Sequence, residues 1–367
     1  MTPLDRRIRE EIGAEGPMRL DRFWNLCLFD PAEGYYTQRD PFGAAGDFVT
    51  APGVSQMFGE LVGAWLVAAW RAIGSPSPVV LAEGGPGDGT LIQDVLRTVR
   101  RLDPALMRAL RPRLVERSDR LAARQIERLA AFDLPVRRVR EIRELDAAPT
   151  LLVANELLDA VAIRQFEYRD GSWGERFVTV DETGALRFAR LPPRDGLPAA
   201  LTDPRAPPPG EGHVFETSPE RDQIVADMAT HLASQGGAAL LFDYGHLRTG
   251  YGDTLQALKA HRAVSPLAEC GRVDITSHVD FAQARRVALA RGCAGAAMAQ
   301  GAFLLALGLR ERAGVLGAGA DEAGREGIVR AARRLAGEAE GEMGALFKAL
   351  ALSPRPLPLP PFAVPGA

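Results

Sequence analysis

The stretch Glu83-Gly84-Gly85-Pro86-Gly87-Asp88-Gly89-Thr90 restricts the possible folds of this chain more than any other segment. The apolar run Val79–Ala82 leads into it and has the character of a buried strand. Beyond it, Leu91, Ile92, Val95, Leu96 and Val99 recur at helical spacing. The glycines therefore occupy a strand-to-helix turn, where bare backbone bends tightly and admits a ligand without side-chain clash. The helix start adds N–H groups that have no partner within the helix. Spacing narrows the ligand. A dinucleotide fingerprint reads GxGxxG, whereas Gly85, Gly87 and Gly89 give GxGxG, with Thr90 in the place of the last glycine. The GK[ST] of a Walker A loop is absent.

Further apolar strands are expected at RLVE (113–116), TLLVAN (150–155) and AALLFDY (238–244), with helices such as DRLAARQIERLA between them. Alternating strands and helices imply a mostly parallel, doubly wound α/β sheet. Residues 1–75 read as an N-terminal helical cap, with Leu4, Ile8 and Ile12 on one helix face and a glycine-rich loop at FGAAGDFVTAPG. Residues 76–352 form the expected core. Within it, strand-rich runs divided by Asp170-Gly171 and Glu182-Thr183-Gly184 predict an antiparallel β insertion at about 164–210. The proline-rich tail, 353–367, is expected to run extended over the surface. The apolar run from Cys293 to Leu309 falls short of a membrane span and reads as a buried helix or strand pair.

At 367 residues, 46% hydrophobic and 25% charged, the chain can bury a core, which argues against disorder. A formal charge of −3 gives no sign of a nucleic-acid partner. Cys27, Cys270 and Cys293 lie far apart, so neither a disulfide framework nor a metal site is expected. The first residues carry no apolar signal core, and Asp5, Glu10 and Glu11 come too early for a transit peptide. A cytoplasmic, bacterial-like location without membrane insertion is the resulting expectation.

The form E-x-GxGxG resembles motif I of class I S-adenosyl-L-methionine-dependent methyltransferases. Longer segments resemble one family among them, the MidA-like methyltransferases. These are GYYTQRDPFGAAGDFVTAPGVSQMFGE (34–60), EGGPGDGTL (83–91), VERSDRLAARQ (115–125), NELLDAVAIRQF (155–166), LLFDYGH (240–246), DTLQALKAHR (253–262), DITSHVDF (274–281) and EMGALFKALAL (342–352). The resemblance covers most of the chain. It implies a Rossmann-like class I methyltransferase sheet, S-adenosyl-L-methionine as cofactor, and methyl transfer. Because the family includes an arginine methyltransferase of respiratory complex I assembly, it also implies arginine of a partner protein as acceptor. The sequence departs from the family at Gly53, at Asp88, where a basic residue is common, and at Ala162, where proline is common. Asp88 is expected to add negative charge beside the cofactor.

Under that resemblance Glu83 faces the cofactor's ammonium group across Gly85, Gly87 and Gly89. Glu116, at the end of the next strand, accepts from the ribose hydroxyls, as the acid of dinucleotide folds does. Gly46, Phe48 and Thr50 belong to a lid over the cofactor, and Asn155 borders it. Glu156, then Asp159, are the candidates for orienting an arginine, since a carboxylate pairs with guanidinium in a bidentate fork. His246 is a candidate base. Competing readings remain open. Asn155 to Asp159 could be a helix N-terminus, Asn155 its cap. Asp274 or Ser277 could cap a helix starting near Val279. The whole chain could be a small-molecule O- or N-methyltransferase, or a non-catalytic assembly chaperone that keeps the fold.

Overall fold

A computed structural model describes residues 1–38, 50–203, 208–259 and 262–362. The central sheet is built from β1 (Val79–Gly84), β2 (Leu110–Val115), β3 (Arg137–Val139), β4 (Thr150–Asn155), β5 (Gly237–His246), β6 (Val279–Asp280), β7 (Ala294–Ala299) and β8 (Phe347–Ser353). Their spatial order is β3-β2-β1-β4-β5-β8-β7, and β6 pairs with the far end of β5. The strands from β3 across to β5 are parallel, and β8 enters antiparallel between β5 and β7. This is the mostly parallel, doubly wound sheet that the alternation of strands and helices predicts. Strand order reverses between β1 and β4. Ligands of such sheets gather at that crevice, outside the carboxyl ends of the strands.

Central strands buried on both faces read as unbroken apolar runs, and every residue of β1 and β4 is buried. Side chains alternate between the faces. Leu81, Val153, Leu240 and Phe242 pack with Phe58, Val62, Ile92 and Val95 of helices Gln56–Ala72 and Thr90–Leu102. Val80, Leu152, Ala239 and Leu241 pack on the other face with Val225, Met228, Phe281 and Ala284 of helices Pro219–Gln235 and Phe281–Ala290.

A second, antiparallel sheet contains Arg164–Arg169, Ser172–Val180, Leu186–Leu191 and Val214–Thr217. The N-terminal region is not wholly helical, because Met18 and Arg19 pair with Val178 and Phe177 of that sheet. Trp24 adds a second tie, its indole N–H donating to the Ala160 carbonyl at 2.8 Å.

Several local expectations are corrected. No helix follows β4; the chain turns instead toward Arg164–Arg169. Asp280, not Asp274 or Ser277, caps helix Phe281–Ala290, accepting from the Gln283 N–H at 2.9 Å. The run Cys293–Leu309 is strand β7 followed by helix Gln300–Ala306. The tail does not simply run over the surface: Leu357, Leu359 and Phe362 pack on the core, with the Phe362 ring 5.6 Å from that of Phe303. Among the described residues no helix is long and apolar enough to cross a membrane, and no cluster of His, Cys, Asp and Glu could hold a metal.

Candidate active site

Gly85, Gly87 and Gly89 have φ of 61°, 56° and 81°, the left-handed region that L side chains avoid. Gly89 is the cap of helix Thr90–Leu102, so the loop runs straight into the helix start. Glu83 is buried beneath it, and its Oε2 accepts from the Ile92 N–H at 3.1 Å. Burial pushes the Glu83 carboxyl well above its ordinary range. The Ile92 N–H opposes that rise and Asp88 adds to it. One Glu83 oxygen is therefore committed to the first turn of the helix.

Asp88 is a further finding. It accepts from the Thr90 N–H at 3.0 Å and the Thr90 hydroxyl at 2.9 Å. Arg128, on helix Asp119–Leu129, donates to Asp88 at 3.2 Å and to the Thr90 hydroxyl at 2.8 Å. The negative charge expected beside the cofactor is thus countered by a cation on the neighbouring helix. Glu116 follows β2 directly and is half-buried. Its Oε1 accepts from the Ser118 N–H at 2.8 Å and its Oε2 from Gln125 Nε2 at 3.1 Å. The same Gln125 nitrogen reaches the Gly87 carbonyl at 2.8 Å.

Across the crevice, the turn after β4 is built differently. Glu156 has φ of 51°, an unusual conformation for a side chain that does not favour it. Its N–H continues the sheet by donating to the Phe242 carbonyl at 2.9 Å. Its Oε1 accepts from Asn155 Nδ2 at 3.0 Å and from the Ala51 N–H at 3.4 Å. Asn155 Oδ1 is buried with no hydrogen-bond partner among the described residues. Burial first, then Asp159, push the Glu156 carboxyl up to about 7, against the opposing bonds from Asn155 and Ala51.

Asp159 is buried, and burial raises its carboxyl while a bond from the Tyr244 hydroxyl lowers it. Asp243 is buried too, and does the work that the sequence reading gave to a helix cap. Its Oδ2 accepts the Leu158 and Asp159 N–H groups at 2.9 and 3.2 Å. Burial, Asp159 and Glu156 together push the Asp243 carboxyl well above its ordinary range. Arg221 is the buried cation nearby: its charge lowers the Asp159 and Asp243 carboxyls, while its hydrogen bonds go to the carbonyls of His278 and Asp159 and to the Ser277 hydroxyl. Among the described residues, no arginine or lysine forms an ion pair with Glu156, Asp159 or Asp243.

The remaining candidates fall as follows. Gly46 and Phe48 lie outside the described residues. Thr50 is half-buried and starts the turn Ala51–Val54, whose first N–H meets Glu156. His246 is not brought to the acids. Beyond Phe242 the strand continues four residues, ~13 Å at the usual rise, and His246 Nδ1 is tied to the Arg248 carbonyl at 2.7 Å. At Gly245 a Cβ would meet the Val279 carbonyl oxygen at 2.0 Å, so the glycine admits β6 alongside β5. Sequence reasoning assigned no role to Gln125, Arg128 or Tyr36. The first two are three residues apart, so they share a helix face, and the segment containing Gln125 was among those that resemble the family. Tyr36 reaches from the cap to donate to Asp274 at 3.3 Å, and Asp159 helps to raise its hydroxyl well above the usual range after burial and Asp274.

A glycine loop and a strand-end acid at the switch point of a doubly wound sheet define a nucleotide-cofactor enzyme. The family model described as "Putative S-adenosyl-L-methionine-dependent methyltransferase" matches residues 61–298. The chain is 33% identical over 378 residues to the mitochondrial protein arginine methyltransferase NDUFAF7 homolog of Drosophila melanogaster, covering 96% of this chain and 85% of that protein. It is 33% identical to mitochondrial NDUFAF7 of Mus musculus, covering 86% of this chain and 76% of that protein. A crystal structure of a protein from Burkholderia thailandensis, bound to S-adenosyl-homocysteine, superposes with a TM-score of 0.81 at 30% identity, covering 95% of this chain and 91% of that one. The chain belongs to this family of S-adenosyl-L-methionine-dependent methyltransferases. It is an enzyme of methyl transfer, and S-adenosyl-L-methionine is its cofactor. The cytoplasmic location expected from the sequence does not stand, because the curated relatives are mitochondrial by name.

Proposed function

We propose that this methyltransferase acts on an arginine side chain of a partner protein, with Glu156 and Asp159 holding the acceptor. The observation that carries the reading is the group of three buried carboxyls, Glu156, Asp159 and Asp243: burial raises all three, Asp159 adds to the rise at Glu156 and Asp243, and no ion pair is made to them among the described residues, although the charge of Arg221 lowers Asp159 and Asp243 in part. A second guanidinium placed there adds positive charge to that of Arg221 and offers planar, forked donors to a carboxylate. Relatives named as protein arginine methyltransferases support the same acceptor. A setting in respiratory complex I assembly rests on the family resemblance.

The residues present fit the cofactor. The three left-handed glycines leave backbone open to a ligand, and the buried Asn155 oxygen has a vacant acceptor position facing no described partner. In this reading Gly85, Gly87, Gly89 and Asn155 hold its amino-acid side, with Glu83 beneath, and Glu116 takes the ribose hydroxyls. Thr50 stands at the rim with Gly46 and Phe48 preceding it in the chain. When bound, the cofactor supplies a methyl group on a sulfonium. The chain's part is to orient the acceptor nitrogen and keep water out. Glu156, poised at about 7, is placed to take the proton that leaves that nitrogen. His246 has no part in this reading.

Glu156→Gln is the test. Cofactor affinity by calorimetry stays near normal, while transfer of labelled methyl into a fractionated lysate falls at least about tenfold, ~1.4 kcal/mol of barrier. Hydrolysis of the labelled band yields methylarginine. Unchanged transfer removes Glu156 from the mechanism, and label on any other residue removes the arginine acceptor.

A further inference from the structure

The helix Asp119–Leu129 carries no residue that the cofactor reading uses, yet it grips the cofactor end of the crevice from two successive positions. Arg128 clamps Asp88 and Thr90. Gln125, one helical turn earlier, is fully buried, and its amide nitrogen bridges the Gly87 carbonyl at 2.8 Å and Glu116 Oε2 at 3.1 Å. An amide nitrogen has two hydrogens, and both are used. The reverse orientation would press the amide oxygen against a carbonyl and a carboxylate, two acceptors, so the bridge itself fixes which way the amide points. The other Glu116 oxygen is held by the Ser118 N–H at 2.8 Å. Ser118 in turn caps this helix, its hydroxyl accepting from the Leu121 N–H. Both carboxylate oxygens are therefore oriented by one helix and its cap. A single side chain ties the glycine loop after β1 to the acid after β2.

We infer that Gln125 is a positioning residue for the cofactor: its amide sets the Glu116 carboxylate for the ribose and holds that acid at a fixed separation from the glycine loop. This rests on the reading of Glu116 as the ribose acceptor. Gln125 touches neither the acceptor nor the methyl group, so its effect falls on cofactor binding and on discrimination between sugars.

The experiment uses the full chain and two probes, S-adenosyl-homocysteine and its 2′-deoxy analogue, by calorimetry. Wild type binds the deoxy probe about tenfold more weakly, the value of one charge-assisted hydrogen bond. Gln125→Met keeps the volume and removes both donors. It lowers that ratio to below about threefold, and raises the cofactor KM about tenfold with kcat at saturation nearly unchanged. A merely structural role would weaken both probes equally and leave the ratio intact. Gln125→Asn, which keeps the amide but is one methylene short of the bridge, gives the same reading if Gln125→Met fails to fold. Should wild type bind both probes alike, the Glu116 assignment falls and takes this inference with it. Should wild type discriminate and both variants discriminate equally well, the inference falls while the Glu116 assignment stands.

Discussion

The two sides of the crevice solve opposite problems. After β1 and β2, Asp88 and Glu116 are matched, Asp88 by Arg128 and Glu116 by Ser118 and Gln125, while Glu83 stays buried beneath them on the Ile92 N–H. After β4 and β5, three buried carboxyls crowd together and Glu156 sits in a left-handed turn. Asp88 and Glu116 thus have their partners before anything binds, which suits the side proposed to hold a cofactor that returns in every cycle. On the crowded side Arg221 offsets Asp159 and Asp243 only in part, and in the proposed reading an incoming cation relieves the rest. In that reading stability is given up where the acceptor is recognised, as buried ionisable groups at functional sites often require.

Three changes break or sharpen that contrast, beginning with the strongest. Gly87→Val places a β-branched residue at φ of 56° in the middle of the matched side. S-adenosyl-homocysteine affinity falls more than about a hundredfold by calorimetry, on the order of 3 kcal/mol; retained binding would mean that the loop is not the cradle. On the crowded side, the Glu156 carboxyl is raised from its ordinary 4.5 to about 7. Below 4.5 both folded and unfolded forms are protonated, and the group costs nothing. Between 4.5 and about 7 the unfolded chain ionises first, so stability falls as pH rises, by an amount on the order of 1–3 kcal/mol. Glu156→Gln should flatten that part of a melting-temperature-against-pH curve and be the more stable protein above pH 7. A curve identical to wild type would show that Glu156 is not strained. The smallest effect belongs to Arg128→Ala. This ion pair is about one-third exposed on both sides, with side-chain exposures of 32% and 29%, so its loss costs about 0.5–1 kcal/mol and a few-fold in cofactor affinity. The loss should shrink in high salt, and a salt-independent loss would point to packing instead.

The contrast also explains what could be read from sequence. The glycine loop, β1 and β4 were legible because burial on both faces gives continuous apolar runs and because glycine alone tolerates such a bend. Glu116 was legible as the residue following a strand. The turn after β4 was not. Asn155 followed by acids carries the signature of a helix start, but the acceptor of its N–H groups is Asp243, more than eighty positions away, and no local pattern announces that partner. β8 was hidden for a related reason. In FKALALS the strand lies at the sheet's antiparallel turn-back, where alanine and lysine give no strong strand preference. His246 shows a limit of strand ends: its element was identified, but β5 runs on past the crevice because β6 pairs beside it. Gln125 and Arg128 lie on an amphipathic helix whose facing could not be known until the sheet order fixed what stood opposite.

Met18 and Arg19, by lying along Ser172–Val180, make the amino-terminal region a strand donor to the insertion. Residues on either side of the core are thus woven into one platform, with Trp24 as a rivet to the loop that bears the acids. A chain trimmed past residue 19 would leave peptide groups bare on that margin, and bare sheet margins attract other chains. The same weave forbids the first helices from swinging away like a hinged cover unless the insertion travels with them.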